Sequence, residues 1–396
     1  MSAVRKGILA LLLLAMLVGL CLYCVAAQDH NIAQTGSHTY EAFRFSPAPN
    51  GDSAQTPTLE KWVWNEAKED GAGWDRFAAY GIGETVPFQV IASVPENYTQ
   101  YTAYSFTITD ELSEGFTFVK DSVRICINEA SGADITEYFE ISERDGILTV
   151  HCPDIHGVSC LAPKQRVVIC YQALLDRDAV LGGSGNPGYI YMDYSTDPRW
   201  NGRAKTPMSR VFSNEIAVFS FQLDIQKVDV GTQLPVTGAE FVLMNEAEEY
   251  LSVSVDGRAA GWFANQKPES TLTIDDQGRV SVIGLRPGSY YLKEIKAPKG
   301  YHALEEPIRL QLSAEYKEND RGLQEVSRLT VHVDGEEAVA SNSPKMDRVE
   351  VRVENTYSTI LPPTGGIGTT IYYIIGIAIL FTVALFYATK RSIRDQ

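Results

Sequence analysis

Basic residues and histidine are scarce in this sequence. Its 396 residues contain 34 Lys and Arg against 50 Asp and Glu, which gives a formal net charge of −16, and only 6 His. Such an excess of negative charge disfavours binding to nucleic-acid phosphates and suits a soluble protein at a cell surface. The few His residues also fall at no spacing to Cys that is typical of a metal site. The sequence therefore predicts no nucleic-acid partner, no metal and no cofactor.

Motifs of the common enzyme classes are missing as well. We find no nucleophile elbow, phosphate-binding loop or metal-ligand cluster in the sequence. Neighbouring acidic residues such as Asp110 and Glu111 are more typical of a solvated edge than of a glycosidase acid pair. The sequence therefore predicts that the protein is not an enzyme.

The N-terminus has the layout of a secretory signal peptide. Arg5 and Lys6 precede an apolar stretch that runs from Ile8 to Val25, and two alanines follow it. This order of charged, apolar and small residues predicts cleavage after about Ala27. A retained N-terminal membrane anchor is the alternative.

Six cysteines occur in the chain, and cleavage after Ala27 would remove the first two. The remaining ones are Cys126, Cys152, Cys160 and Cys170. In an exported protein these residues could form two disulfides, in three possible connectivities. Three of them lie in strand-like runs, where buried free thiols are the alternative. The sequence leaves both arrangements open.

The C-terminus carries three consecutive features. The first is a short motif made of Leu361, Pro362, Pro363, Thr364 and Gly365. An apolar run of roughly twenty residues follows, which is long enough to span a bilayer as a helix, and we predict a transmembrane helix over residues 371–389. Basic residues end the chain, and the positive-inside rule places them in the cytoplasm. Everything before the motif would then lie outside the cell.

Motif, apolar span and basic tail in this order resemble the sorting signal of Gram-positive sortase substrates. The resemblance implies that a sortase cysteine attacks the carbonyl of Thr364, cuts before Gly365 and holds the protein as a thioester. An amine of a cell-wall peptide or of another pilin subunit would then displace the sortase, so that the membrane helix is a transient tether. An ordinary single-pass membrane anchor is the alternative. The expected location is the cell wall of a Gram-positive bacterium.

Between the two termini the sequence has the pattern of an all-β protein. Runs rich in Val, Thr, Tyr, Phe and Ile are separated by Gly, Pro, Asn and Asp about every ten residues. We predict two tandem immunoglobulin-like or prealbumin-like β-sandwich domains, flanked by the signal peptide and the transmembrane helix. The expected division is a signal peptide (1–27), an irregular segment (28–56), a first domain (57–220), a second domain (221–357) and the sorting signal (358–396).

The first domain contains the stretches Gly81–Pro95, Tyr104–Phe118 and Tyr189–Ser195. Through these stretches it resembles the fimbrial isopeptide-forming domain. It implies that a lysine and an asparagine condense spontaneously to an amide with the help of an acidic residue. The corresponding residues here are Lys61 as the amine, Asp110 as the acid and Asn214 as the amide. A surface lysine and an ordinary asparagine are the alternative.

The second domain contains the stretches Asp224–Asp229, Gly284–Tyr301 and Val351–Asn355. Through these stretches it resembles the collagen-adhesin B-type domain, which is also called a pilin B-type or prealbumin-like domain. It implies a small antiparallel sandwich and a second isopeptide bond between Lys227 and Asn355, with Glu294 as the catalytic acid.

Both sites depend on burial for their chemistry. A lysine is a nucleophile only when it is neutral, and burial in an apolar core favours the neutral forms of amines and carboxyls. The amine can then attack the asparagine carbonyl while the acidic residue moves protons and ammonia leaves. The acid residues Glu294 and Asp110 would thus act once, on their own chain.

Two functional classes follow from this organisation. One is a structural pilin or fimbrial subunit, whose partners are sortase, peptidoglycan or other pilin subunits and, during sorting, the membrane. The other is a monomeric surface adhesin that binds a host or extracellular-matrix ligand. Shaft pilins usually carry a linking lysine near the N-terminus, but no lysine lies between Ala27 and Lys61. Lys68, Lys120 or Lys164 would have to serve instead, and otherwise a basal or minor pilin fits better.

Overall fold

The computed structural model describes residues 56–68, 71–200, 207–320, 322–336, 339–358 and 374–384. The predicted signal peptide, nearly all of the segment 28–56 and the motif at 361–365 lie outside these residues. So do both ends of the predicted membrane helix 371–389, of which residues 374–384 are described.

The described residues contain 24 β-strands and four short 3₁₀ helices. The strands are β1 (Leu59–Asn65), β2 (Gly73–Asp75), β3 (Phe77–Ala79), β4 (Thr85–Ser93), β5 (Phe106–Leu112), β6 (Phe116–Phe118), β7 (Arg124–Ile127), β8 (Glu140–Arg144), β9 (Ile147–Cys152), β10 (Arg166–Leu175), β11 (Asn186–Ser195), β12 (Met208–Phe212), β13 (Ile216–Phe219), β14 (Phe221–Asp229), β15 (Glu240–Asn245), β16 (Tyr250–Val253), β17 (Ala259–Phe263), β18 (Leu272–Thr273), β19 (Arg279–Leu285), β20 (Gly288–Lys296), β21 (Ile308–Glu318), β22 (Gln324–Val333), β23 (Val339–Ala340) and β24 (Arg348–Asn355). The 3₁₀ helices are Tyr98–Gln100, Thr136–Tyr138, Ile155–Gly157 and Pro268–Ser270.

The strands up to β13 form two sheets, which we call the first sheet pair. One sheet has the order β2-β1-β4-β10-β6, with β7 also pairing with β10. The other has the order β3-β13-β11-β5-β9-β8, with β12 also pairing with β11. The two sheets face each other, since β1 contacts both β11 and β13.

The strands from β14 onward form two more sheets, the second sheet pair. A three-stranded sheet has the order β19-β14-β24, and β14 runs parallel to β24. The larger sheet has the order β17-β16-β15-β20-β21-β22-β23, with β18 also pairing with β15. Contacts of β24 with β22 and β23 bring the two sheets together.

Alternation of apolar and polar residues explains why these segments form strands with one buried face. In β24 the side chains of Val349, Val351 and Val353 are buried, whereas the charged residues between them are exposed. This period of two is the one that a pleated strand requires. The prediction of a β-sheet protein is therefore confirmed, and the buried residues of both sheet pairs form one continuous apolar cluster.

The predicted C-terminal membrane helix is described only in part. Residues 374–384 are helical, with exposed apolar side chains. Among the helices that the structure describes, none has the length and apolar character needed to cross a membrane.

Candidate functional site

Three inward-facing polar residues meet in the core of the second sheet pair. Lys227 follows Leu223 and Ile225 in the buried phase of β14. Asn355 ends the buried row of valines on β24. Glu294 occupies the corresponding inward phase of β20. Each strand therefore directs a polar side chain to a position that its pattern would otherwise give to an apolar one.

The side-chain amide of Asn355 lies between an amine and a carboxylate. Lys227 Nζ donates to Asn355 Oδ1 and, at 3.1 Å, to the backbone oxygen of Val353. Asn355 Nδ2 donates to the two carboxylate oxygens of Glu294 at 3.0 and 3.1 Å. It also donates to the backbone oxygen of His302 at 2.9 Å. The amide carbonyl is thus presented to the lysine and the amide nitrogen to the acid.

Glu294 is close enough to both nitrogen atoms to transfer a proton between them. Its Oε1 lies 4.0 Å from Lys227 Nζ, and the backbone N–H of Leu304 donates to its Oε2 at 2.8 Å. Lys227 and Asn355 are 0% and 2% exposed. Burial lowers the pKa of Lys227 from 10.5 to about 8, although Glu294 and Glu354 act in the opposite direction. Burial thus favours the neutral amine, which is the form of lysine that can act as a nucleophile.

A second buried lysine lies in the core of the first sheet pair. Lys61 on β1 and Asp110 on β5 both take inward positions, and Lys61 Nζ lies 2.5 Å from Asp110 Oδ1. The hydroxyl of Tyr171 on β10 donates to Asp110 Oδ2, also at 2.5 Å. Burial lowers the pKa of Lys61 even though Asp110 opposes this effect. Burial also raises the pKa of Tyr171 well above its ordinary value, so the phenol keeps its proton and donates it to the carboxylate.

The structure does not bring the amide of Asn214 to this lysine amine. The backbone N–H of Lys61 donates to Asn214 Oδ1 at 3.0 Å, and Asn214 Nδ2 donates to the backbone oxygen of Lys61 at 2.8 Å. Both ends of the amide are therefore occupied by the backbone of β1. A Cβ added to Gly188 would lie 2.9 Å from Lys61 Nζ and 3.2 Å from Ile216 Cδ1. The space over Gly188 is therefore bordered by both the Lys61 amine and the Ile216 side chain.

The other predicted features either lie apart from these sites or fall outside the described residues. The structure draws no disulfide among the four cysteines after residue 27; Cys126 and Cys152 are buried, Cys170 is half-buried and Cys160 is exposed. In the described part of the chain, no group of three or more His, Cys, Asp or Glu side chains is arranged to hold a metal ion. Thr364 and the rest of its motif are not among the described residues.

Sequence reasoning missed Tyr171 and Gly188 at the first site. Tyr171 lies on the same buried face of β10 as Val167 and Ile169, so its inward orientation could be predicted from the sequence pattern. Its contact with Asp110 could not, because that contact joins two different sheets. Gly188 leaves room for the lysine amine because it has no Cβ. Neither role has a local sequence signal.

A family profile described as "SpaA: Prealbumin-like fold domain" matches residues 221–321. This range begins at β14 and contains Lys227 and Glu294, whereas Asn355 lies beyond its end. The buried lysine and acid of the second sheet pair therefore lie within the stretch that matches this profile.

A curated protein is also similar to this chain. The "Trypsin-resistant surface T6 protein" of Streptococcus pyogenes serotype M6 is 22% identical over 239 residues, which cover 56% of this chain and 40% of that protein. The match thus involves about two fifths of the length of this relative.

Solved structures of pilins have a similar fold. The 35 kDa C-terminal fragment of the major pilin GBS80 of Streptococcus agalactiae matches with a TM-score of 0.54 and 18% identity, over 76% of this chain and 100% of the fragment. The T6 backbone pilin of S. pyogenes matches with a TM-score of 0.52 and 17% identity, over 76% of this chain and 70% of that one. The full-length major pilin RrgB of Streptococcus pneumoniae gives 0.52 and 14%, over 78% and 75%. The chain is therefore a β protein whose fold is similar to that of Gram-positive backbone pilins, and its residues 221–321 match the profile of the SpaA prealbumin-like fold domain.

Proposed function

We propose that the protein is a structural pilin subunit that sortase attaches covalently to the cell wall through Thr364. In this proposal an isopeptide bond between Lys227 and Asn355 stiffens the second sheet pair. The observation that supports the proposal is the meeting of a buried amine, amide and carboxylate in one core, with the amine and the amide 128 positions apart in the chain. Burying three such groups is costly unless they are paired, and their mutual arrangement is that of reactants.

The reaction follows from the positions of the three side chains. The neutral Lys227 amine attacks the side-chain carbonyl carbon of Asn355 and forms a new C–N bond. Glu294 accepts a proton from the attacking nitrogen and delivers it to the amide nitrogen, which it already contacts. The bond to that nitrogen breaks and ammonia leaves, so that a secondary amide joins β14 to β24. Fixing the reactants in contact supplies the proximity that a bimolecular amide exchange lacks.

Intact-mass measurement of the ectodomain tests this step. One bond removes one ammonia, which lowers the mass by about 17 Da relative to the sequence. Glu294→Gln should abolish this loss because it removes the proton carrier. Glu350→Gln is the matched control, since Glu350 lies on the exposed face of β24. A wild-type protein with its full sequence mass would refute the crosslink.

For the first sheet pair we propose no isopeptide bond, because the amide of Asn214 is bound to the backbone of Lys61. The Lys61–Asp110 pair then remains an ion pair, and Asp110 has no condensation to catalyse. A mass loss of about 34 Da instead of about 17 Da would show that two bonds form.

The remaining parts of the proposal concern export and anchoring. We propose a signal peptide at 1–27, a segment at 28–56, β-sandwich domains at 57–220 and 221–357, and a sorting signal at 358–396 whose apolar segment is a transient membrane tether. The protein would then be displayed on a Gram-positive cell wall. A search of wall digests for a branched peptide that joins Thr364 to an amine tests the attachment. Recovery of the intact C-terminus with the residues after Gly365 would contradict it.

The structural pilin is favoured over a monomeric adhesin by the similarity to backbone pilins in fold. The two classes differ in what wall extracts contain. A pilin subunit should appear in covalent multimers that survive boiling in SDS, and a Thr364→Ala variant should lose them. A single band of monomer size would favour the adhesin.

A further inference from the structure

We infer that the two sheet pairs form one rigid body, locked at their junction by Gly182 and Gly284. This inference concerns the joint between the sheet pairs and does not depend on the crosslink between Lys227 and Asn355. It follows from four sets of contacts that surround the connection between β13 and β14.

The connection itself leaves no length of chain for a hinge. β13 ends at Phe219 and β14 begins at Phe221, so only Ser220 separates them. All three residues are 0% exposed. The backbone N–H of Gly182 donates to the backbone oxygen of Ser220 at 3.0 Å, and the Ser220 hydroxyl donates to the backbone oxygen of Leu285 at 3.5 Å. The linking residue is thus held by both sheet pairs.

A glycine-rich loop of the first sheet pair enters the second. The backbone N–H of Gly183 donates to the oxygen of Lys345 at 2.6 Å, and its backbone oxygen accepts from the N–H of Val326 at 3.1 Å. Gly182 lies against the backbone of Asp347, because a Cβ added to it would be 2.5 Å from the Asp347 Cα. This approach is possible only for glycine, and it joins the loop to the residues that immediately precede β24.

A second close approach lies on the other side of the linker. The backbone N–H of Ile82 donates to the oxygen of Gly284 at 2.9 Å. A Cβ added to Gly284 would lie 2.5 Å from the Ile82 Cβ. Here too a backbone of one sheet pair fits against the other without space for a methyl group.

Aromatic and charged side chains complete the junction. The ring of Tyr316 on β21 lies 4.7 Å from that of Phe77 and 4.9 Å from that of Phe219, between centroids. Arg286 of the second sheet pair contacts Glu66 at 2.6 Å and Glu84 at 3.7 Å, both from the first. Contacts on several sides of one short connection oppose bending in every direction, so the sheet pairs cannot rotate independently.

Distance measurements between the sheet pairs test the rigid joint. A spin label on Cys160, which is exposed, and a second on a Val255→Cys variant, also at an exposed position, report one distance across the junction. We expect a single narrow distance distribution in the full ectodomain. A broad or multimodal distribution would overturn the inference at once.

Two matched glycine pairs separate steric locking from backbone strain. Gly182 and Gly183 both have a φ of +56°, but a Cβ on Gly183 would meet nothing within 4 Å. Gly182→Ala should therefore broaden the distribution at least twofold, whereas Gly183→Ala should leave it unchanged. Gly284→Ala and Gly238→Ala form the second pair, with φ of +96° and +85° and open space only at Gly238. If Gly182→Ala does not fold, the comparison of Gly284→Ala with Gly238→Ala tests the inference. Distance distributions of equal width for the two variants of a pair would refute locking at the glycine concerned. Neither outcome depends on the mass loss that tests the crosslink.

Discussion

Blocking the proposed condensation should leave a buried lysine whose titration is visible in the stability of the protein. In a Glu294→Gln variant Lys227 stays a free amine in the core. Its pKa is about 8 in the folded wild-type arrangement and 10.5 in an exposed lysine. The charge of Glu294 opposes the lowering of the Lys227 pKa by burial. Removing that charge therefore does not bring the folded and unfolded pKa values closer together.

The sign and size of the effect follow from proton linkage. Between pH 8 and pH 10.5 the unfolded chain holds the Lys227 proton and the folded chain has lost it. Stability therefore rises with pH across this window. The two pKa values correspond to about 3 kcal/mol in the free energy of unfolding. Below pH 8 the lysine is charged in both states, so the penalty for burying it is constant there.

Chemical denaturation at a series of pH values from 7 to 11 measures this gain. The reference is the double variant Glu294→Gln with Lys227→Met, in which every other lysine still titrates. The difference between the two variants should grow by about 3 kcal/mol across the window. In the wild-type protein the Lys227 nitrogen would be an amide and could not titrate. The free energy of unfolding of the wild type should therefore change with pH only as much as that of the reference double variant. A flat difference, or a wild type that follows the single variant, would refute the reasoning.

Three further predictions concern the first sheet pair. Ile216→Asn should supply the missing amide beside Lys61, and intact mass should then fall by about a further 17 Da; an unchanged mass would mean that the Lys61–Asp110 pair is unreactive. Lys61→Met should lower the free energy of unfolding by about 3–5 kcal/mol, because Asp110 is left buried without its cationic partner, and adding Asp110→Leu should restore most of the loss in denaturant titrations. Under native conditions a maleimide should label Cys160 fast, whereas Cys126 and Cys152 should react only after unfolding; rapid labelling of either buried thiol would contradict the structure.

The second site could be predicted from the sequence because its residues carry two signals at once. Lys227 and Asn355 interrupt rows of apolar residues in the buried phase of their strands. The similarity to the B-type domain supplied Glu294 as their partner. Strand phase and motif agree at each of these positions, so the sequence pointed to three residues that the fold does bring together.

The first site shows where such reasoning stops. Asn214 lies two and four positions before Ile216 and Val218. Its side chain would therefore point inward, as theirs do, if β13 began two residues earlier. The strand begins at Ile216, and Asn214 instead pairs with the backbone of Lys61. Where a strand begins depends on hydrogen bonds to distant segments, which the local sequence does not encode. The roles of Gly182 and Gly284 could not be predicted for the same reason, since they depend on residues more than a hundred positions away.

The parallel pairing of β14 with β24 decides how the second sheet pair responds to pulling. The chain enters this unit at the start of β14 and leaves it at the end of β24, and the two strands run side by side in the same direction over eight paired residues. Force applied at these two points slides the strands past each other instead of peeling them apart. The hydrogen bonds between them are then loaded together, whereas peeling would break them one at a time. The unit is thus loaded in shear when it is pulled at these two points, and the pairing of β14 with β24 keeps the side chains of Lys227 and Asn355 in register under that load.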